Sequence, residues 1–540
     1  MLVRQRQDLV SDWQAQEKLL VAGRGQEPAK RNSVSEKALA DSLAGIDARL
    51  AAIDARLEKE FPDYDALARP MPASVAEVQA QLGANEALVL FLDTPEWRLT
   101  RMSTALPEET FVWVVTRSNV RWLRSVLGTK ALKREVAALR CGLDNALWTD
   151  GASSTECTSL LEGRERPGPH INVLPFNMQR AHALYRALLG EAEDLLIDKH
   201  LLIVPSGALT QLPFQVLVTE APKTAVPDGP AGYRNAAWFG TRQSITVLPA
   251  VSSLKALRAH ARASRAVKPY LGIGNPLLDG DRANSNDASR AELARTKQAC
   301  GPAPVKTATA FVAPVRGVVA RVTMRGALAD VAAVKGLAPL PETADELCRV
   351  AADLKAETTE MRLGTRATET EVKRLSASGE LSAYRVLHFA THGAMAGELD
   401  KDREPGLLLT PPGNATELDD GYLSASEIAA LKLDADWVVL SACNTAAGGA
   451  ASAEALSGIA RAFVYAGARA LLVSHWAVYS DATVKLITKA AAEMAGDTSV
   501  GRAEAMRRAM AALIENGAPH EAHPSYWAPF VVVGEGAAVR

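Results

Sequence analysis

Apolar residues near the start of the chain fall at Leu39, Leu43, Ile46, Leu50, Ile53 and Leu57, in alternating steps of four and three. Such steps keep one face of a helix apolar, so the spacing predicts a helix here. Ser33, Ser35 and Glu36 offer capping groups at its start, and Pro62 stops it. Leu9, Trp13 and Leu20 mark an earlier helix, and the AGRGQEPAKRN between the two is rich in charge and turn formers. The pair reads as an antiparallel helical hairpin occupying residues 1–80.

From Glu86 the period changes. ALVLFLD and FVWVVTR are β-rich runs, VRWLRSVLG and LKREVAALRCGLDNAL read as helical, and TDGASSTECTSLLEGRERPGPHINV reads as a polar loop. A helix around AHALYRALLGEAEDLL then leads into strands at LLIVPSG and QLPFQVLV, and a further apolar run, SITVLPAV, precedes another helix. These elements predict one α/β domain over 81–265. A second, over 266–540, opens with YLGIGNP, loses its pattern in a long loop insertion at 277–340, and regains it in the helices ETADELCRVAADL and TETEVKRLSAS. The strands YRVLHFATHG, DWVVLSACNT and RALLVSHW follow. The fold class is α/β, a parallel or mixed sheet flanked by helices.

Composition narrows the function. Across 540 residues, 60 Lys+Arg against 62 Asp+Glu give a formal charge of −2, which argues against a chain that works by blanketing nucleic acid or an anionic membrane. Five cysteines, Cys141, Cys157, Cys300, Cys348 and Cys443, are odd in number, far apart and without a C-x-x-C pair, so they predict neither a disulfide scaffold nor a zinc cluster. A reducing compartment is the default. The N-terminal MLVRQRQDLVSDW has no signal-peptide core, and no apolar run reaches the roughly 20 residues that cross a bilayer. The expectation is a soluble cytoplasmic protein.

Two of the apolar runs, VLHFA and WVVLSA, have the character of parallel strands buried on both faces, and each ends in a reactive side chain. His392 follows the first and Cys443 the second. In open parallel sheets the ligand crevice lies beyond the carboxyl ends of the strands, so the two would share one edge. A thiolate and an imidazole placed together are what nucleophilic acyl transfer requires. Gly393 lets backbone approach a substrate carbonyl, and its N–H with that of Cys443 could form an oxyanion hole. A cysteine after a strand is more often a small hydrophobe, and it is the matched histidine that raises the catalytic reading above that. His388 and His392 are four apart but lie in a strand pattern with no third ligand at usable spacing, so no metal is expected. GIGNP and the Gly-rich NTAAGGAASAEALSG match neither dinucleotide nor phosphate-loop fingerprints, so no cofactor is expected either.

ATHG at Ala390 to Gly393, LSACNT at Leu440 to Thr445, LSGIARAFVYAGARALLVSHWAV and HPSYWAPFVVVG occur in one order and register that resembles the CHAT family. FPDYDALARP, LLIVPSGALTQLPFQVL and LGIGNP extend the resemblance over nearly the whole chain. CHAT domains are caspase-like, related to separase and usually found behind tetratricopeptide repeats. The resemblance implies a caspase-like sheet preceded by a pseudo-protease α/β domain and a helical arm, with His392 as general acid/base and Cys443 as nucleophile of a cysteine endopeptidase. Where relatives hold an acid after the W-x-V motif, this chain has Ser480, with Asp481 one residue on, and Ser441 stands where metacaspases have an acid. The implied P1 pocket, with Ser441, Trp476, Val478, Ser480 and Asp481 as candidate walls, is therefore uncharged unless Asp481 turns inward. The implied setting is a bacterial signalling or defence system of regulated cell death. The implied partners are a protein substrate, such as a gasdermin-like or other adjacently encoded protein, and an activating partner, with neither nucleic acid nor membrane bound directly. A catalytically silent scaffold and a small-molecule acyltransferase are the competing readings.

Overall fold

A computed structural model describes isolated positions between 5 and 20 and then residues 32–60, 73–97, 105–148, 151–161, 174–259, 264–281, 284–301, 324–325, 328–394, 404–441, 455–476 and 478–538. Helix α1 (Ser33–Glu60) forms where the four-three stripe places it, with Leu43 and Ile46 buried. Arg6 Nε donates to the Asp54 carboxylate at 2.7 Å, which brings the first segment against α1.

Beyond the arm, eleven strands among the described residues form one sheet: β1 (Glu86–Thr94), β2 (Glu109–Thr116), β3 (Val120–Ser125), β4 (His200–Val204), β5 (Ile245–Val247), β6 (Lys268–Gly274), β7 (Arg362–Leu363), β8 (Tyr384–Ala390), β9 (Trp437–Leu440), β10 (Ala470–Ser474) and β11 (Phe530–Gly534). Their order is β3-β2-β1-β4-β5-β11-β10-β9-β8-β6-β7. β1, β2 and β3 form an antiparallel meander, and β11 runs antiparallel to β10, while the other neighbours are parallel. The principal helices are α2 (Thr129–Cys141), α3 (Met178–Leu189), α4 (Ser285–Thr296), α5 (Val331–Lys335), α6 (Glu342–Asp353), α7 (Glu369–Ala377), α8 (Ala455–Tyr465), α9 (Ser480–Gly496) and α10 (Arg502–Asn516).

The period-two rule decides which helix each strand residue meets. Trp437, Val439, Ala470, Leu472 and Val532 pack in the core with α6, α9 and α10. Val438, Leu440, Leu471, Val473, Val531 and Val533 pack on the opposite face with α7 and α8. Because both faces are covered, the strands read as continuous apolar runs. The two expected α/β halves meet at β5, which pairs in parallel with both β4 and β11. The boundary expected at 265 therefore lies inside one continuous sheet, and the larger core runs from Ala87 to Val532 across it.

Several expectations need correction. VRWLRS is the edge strand β3 and not a helix: Val120, Leu123 and Val126 are three apart and mimic helical spacing, but Trp122 stands opposite Trp113, and Arg121 and Arg124 pair with Asp194 and Glu109. Within the expected polar loop, Gly151–Leu160 is helical, and QLPFQVLV makes a short 3-10 turn at Phe214–Val216 in place of a strand. The 277–340 segment holds helices α4 and α5, fastened by tertiary bonds that no local pattern reveals: the Asn275 amide donates to the carbonyls of Ala294 and Lys297 at 2.9 and 2.8 Å, and Arg290 donates to the Pro339 carbonyl at 2.8 Å. The cysteines form two disulfides, Cys141–Cys157 and Cys300–Cys348, with separations of 16 and 48 residues. Proximity created by folding, not spacing in the chain, brings these pairs together.

One buried carboxylate makes the sheet acid-sensitive. Glu86 opens β1 and accepts from Arg258 Nη2 at 2.6 Å and from the Gly83 N–H at 2.6 Å. Burial pushes its carboxyl up, but hydrogen bonds from His200 and Gly83 and the charge of Arg258 outweigh that and hold it at about 2, against an ordinary 4.5. A carboxyl whose folded pKa is lowered stabilises fully above its unfolded pKa and loses that contribution as pH falls through the folded one. Glu86→Gln is thus expected to cost about 2 kcal/mol at pH 7, with the gap to wild type closing between pH 4.5 and 2. Denaturant unfolding across that range checks it, and a gap that does not close would contradict the assignment.

Candidate active site

The site lies at the carboxyl ends of β8 and β9. The two strands are parallel neighbours, and Phe389 stands beside Leu440. His392 is three positions past Phe389, and Cys443 is three positions past Leu440. Cys443 itself lies outside the described residues, and Ser441 is the last described residue before it.

His392 opens a short strand, His392–Ala394, that pairs antiparallel with Gly406–Leu408 and carries Gly393. The preceding Thr391 donates its hydroxyl to the Leu408 carbonyl and so fixes the turn out of β8. His392 is 2% exposed, and its Nε2 lies 2.8 Å from the Ala338 carbonyl. A carbonyl can only accept, so Nε2 carries the proton and Nδ1 is the basic nitrogen. Ala338 belongs to the segment expected to be a loop insertion. Its closing stretch is thus part of the site, and the sequence carried no signal for it because the contact is made by backbone.

Directly after β9, Ser441 is fully buried. Its hydroxyl lies 2.9 Å from His388 Nε2 and donates to Glu346 Oε1 at 2.8 Å. His388 lies with Nδ1 2.8 Å from the Tyr270 hydroxyl. Glu346 stands on the inner face of α6 among Thr343, Leu347 and Val350, and a carboxylate on that apolar stripe was the one sequence signal for this cluster. The helix can approach because a side chain at Gly272 or Gly274 would meet Leu347 at 2.9 or 2.8 Å.

Ser441, a candidate pocket wall, thus turns its hydroxyl inward onto Glu346 and His388, and the other candidate specificity residues sit after β10. Trp476 is 2% exposed and donates its indole N–H to the Ser525 carbonyl at 3.0 Å, and Val478 is buried in the same core. Ser480 is buried at the start of α9. Asp481, one residue on, is exposed and paired with Arg349 of α6. The loop is gripped from behind: Arg140, itself paired with Asp144 at 2.9 Å, donates to the His475 carbonyl at 3.3 Å, and the Asn145 amide donates to the Tyr479 hydroxyl at 2.6 Å. Burial first, and then the neighbouring Arg140 charge, pull the His475 pKa down to about 3, so this imidazole is neutral at pH 7.

No curated protein matches the chain in sequence. Among solved structures it is similar to separase of Saccharomyces cerevisiae in complex with securin, with 9% identity and a TM-score of 0.39 over 98% of this chain. The chain spans 38% of the length of that separase chain. It is also similar to the Arg-specific cysteine proteinase gingipain R, with 9% identity and a TM-score of 0.31 over 67% of each chain. The pro- and mature domains of the Porphyromonas gingivalis enzyme RgpB match it at 9% identity and a TM-score of 0.31, over 67% of this chain and 69% of that one. The CHAT domain family model matches residues 179–535, more than half of the chain and all of the sheet from β4 to β11, and the chain belongs to that family.

Proposed function

We propose that the chain is a caspase-like cysteine endopeptidase that cleaves one or a few protein partners, with Cys443 as nucleophile and His392 as general acid/base. The observation that carries this reading is the register of β8 on β9: Phe389 pairs with Leu440, and His392 and Cys443 each follow three positions on in the sequence. The Nε2 bond to Ala338 supports the role of His392, since it orients the ring with Nδ1 as the basic nitrogen. Cys443 gives its proton to Nδ1, and the thiolate attacks the scissile carbonyl. The N–H groups of Gly393 and Cys443 receive the developing oxyanion. The C–N bond breaks as the imidazolium protonates the leaving amine, and water, deprotonated by the same imidazole, hydrolyses the thioester. No cofactor enters these steps.

The setting proposed is a bacterial signalling or defence system that ends in regulated cell death, acting in the cytoplasm on an adjacently encoded protein such as a gasdermin-like one. The two disulfides weigh against a reducing compartment, and counting free thiols in protein taken directly from the cytoplasm decides between the two. Co-expression with proteins encoded beside this chain tests the activity. Cleavage that requires Cys443 supports it, and intact partners throughout would leave the chain a scaffold.

Specificity follows from the surroundings of Ser480. Asp481 is engaged by Arg349 and no other acid occupies the W-x-V stretch, so a P1 Arg would lose its hydration without gaining a carboxylate. A peptide library is expected to give uncharged, apolar P1 residues as the main products. Dominant cleavage after Arg or Lys, lost in Asp481→Ala, would assign Asp481 the P1-reading role instead.

A further inference from the structure

Tyr270 of β6, His388 of β8, Ser441 just past β9 and Glu346 of α6 form a chain of polar side chains with at most 1% exposure each. The donors can be ordered without conflict: the Tyr270 hydroxyl into His388 Nδ1, His388 Nε2–H into Ser441 Oγ, and the Ser441 hydroxyl into the Glu346 carboxylate. His388 Nε2 also lies 3.3 Å from Glu346 Oε1. Well-packed apolar residues of the same volume would hold such a core at least as firmly, so stability does not account for an imidazole and a carboxylate here. What the cluster does hold is position. Ser441 lies two residues before the proposed nucleophile, and its backbone N–H is bound to Phe389 of β8, three residues before His392. Glu346 is in turn on a helix secured from outside, through Cys348–Cys300, Glu342–Arg290 and Asp345–Lys297.

We propose that Glu346, acting through Ser441 and His388, is a positioning residue that fixes Ser441, from which the chain runs on to Cys443, relative to His392. This rests on the protease reading above, and it assigns no contact with substrate. Reaching into the sheet, the carboxylate fixes the Ser441 hydroxyl in one direction. The chain leaving β9 therefore starts from one orientation, and a shift of even 1 Å between a thiol and its base costs on the order of a hundredfold in rate.

The test reads the thiol itself and needs no substrate. With the four described cysteines paired, Cys443 is the thiol that iodoacetamide alkylates in non-reducing buffer. Its alkylation rate is measured against pH in wild type, His392→Ala, Ser441→Ala, Ser441→Thr, Glu346→Gln and Tyr270→Phe, normalised to folded protein from thermal melts. Wild type is expected to show an apparent thiol pKa below the ordinary value of about 8.5, lost in His392→Ala. Ser441→Ala and Glu346→Gln are expected to lower the rate at pH 7 about tenfold and move the pKa toward the ordinary value, while Ser441→Thr, which keeps the hydroxyl, restores most of it. Tyr270→Phe, which keeps the ring volume, gives a smaller shift in the same direction and serves if Glu346→Gln does not fold. Wild-type rates and pKa in folded Ser441→Ala and Tyr270→Phe would overturn the proposal while leaving the dyad standing. A wild-type thiol that titrates ordinarily and ignores His392→Ala would overturn the dyad, and this proposal with it.

Discussion

Cys443→Ala is expected to lower the rate of partner cleavage by about ten-thousandfold or more, because no other group can form the acyl-enzyme. His392→Ala is expected to lose nearly as much, and the double variant no more than either alone, since nucleophile and base act as one unit. Stability should separate the two. Cys443 lies past the end of β9 and its removal leaves the sheet intact, whereas His392 is buried and bonded to Ala338. Loss of that bond should lower stability by about 1 kcal/mol. Steady-state cleavage paired with thermal melting checks both, and cleavage that persists in folded Cys443→Ala would remove the chemistry assigned to it.

The largest expected effect on the fold concerns a charge far from the chemistry. Arg502, at the start of α10, is 2% exposed, and its guanidinium donates to the Asp436 carboxylate at 2.9 Å, to the Asp436 carbonyl at 2.9 Å and to the Glu535 carbonyl at 3.3 Å. Asp436 immediately precedes β9, and Glu535 immediately follows β11. One buried cation thus ties together the entry of the strand that leads to Cys443 and the exit of β11, the central strand between β5 and β10. Asp436→Ala leaves that cation without its carboxylate and is expected to cost about 3–5 kcal/mol. Removing both charges with Asp436→Leu and Arg502→Met is expected to recover much of the loss, because the desolvation cost disappears with the pair. Urea unfolding of the single and double variants measures it, and an Asp436→Ala loss below about 1 kcal/mol would show the pair to be dispensable.

How far the fold was legible follows from which forces act locally. β8, β9 and β10 are continuous apolar runs, because helices cover both of their faces, and that property is written in each run by itself. The parallel pairing that sets Phe389 beside Leu440 follows from the same runs. β3 was misread because an edge strand with one exposed face can space its apolar residues by three. The union of the two halves at β5 and β11, the two disulfides and the Ala338 carbonyl on His392 are long-range contacts, and no neighbouring residue reports on them. Ser441 marks the limit within the site. A small polar residue near the proposed nucleophile suits a pocket wall, and only the fold turns its hydroxyl onto Glu346 and His388.

The central claim is that peptide bonds break through a thioester on Cys443 with His392 as its base. Acid-quenching the reaction with a cleaved partner, followed by mass mapping of the enzyme's peptides, tests it most directly. The expected result is the Cys443 peptide carrying the N-terminal product as an acyl adduct, one water lighter than the free fragment, and absent in His392→Ala. Cleavage that proceeds at full rate with no adduct on Cys443, or that continues in folded Cys443→Ala, would contradict the account.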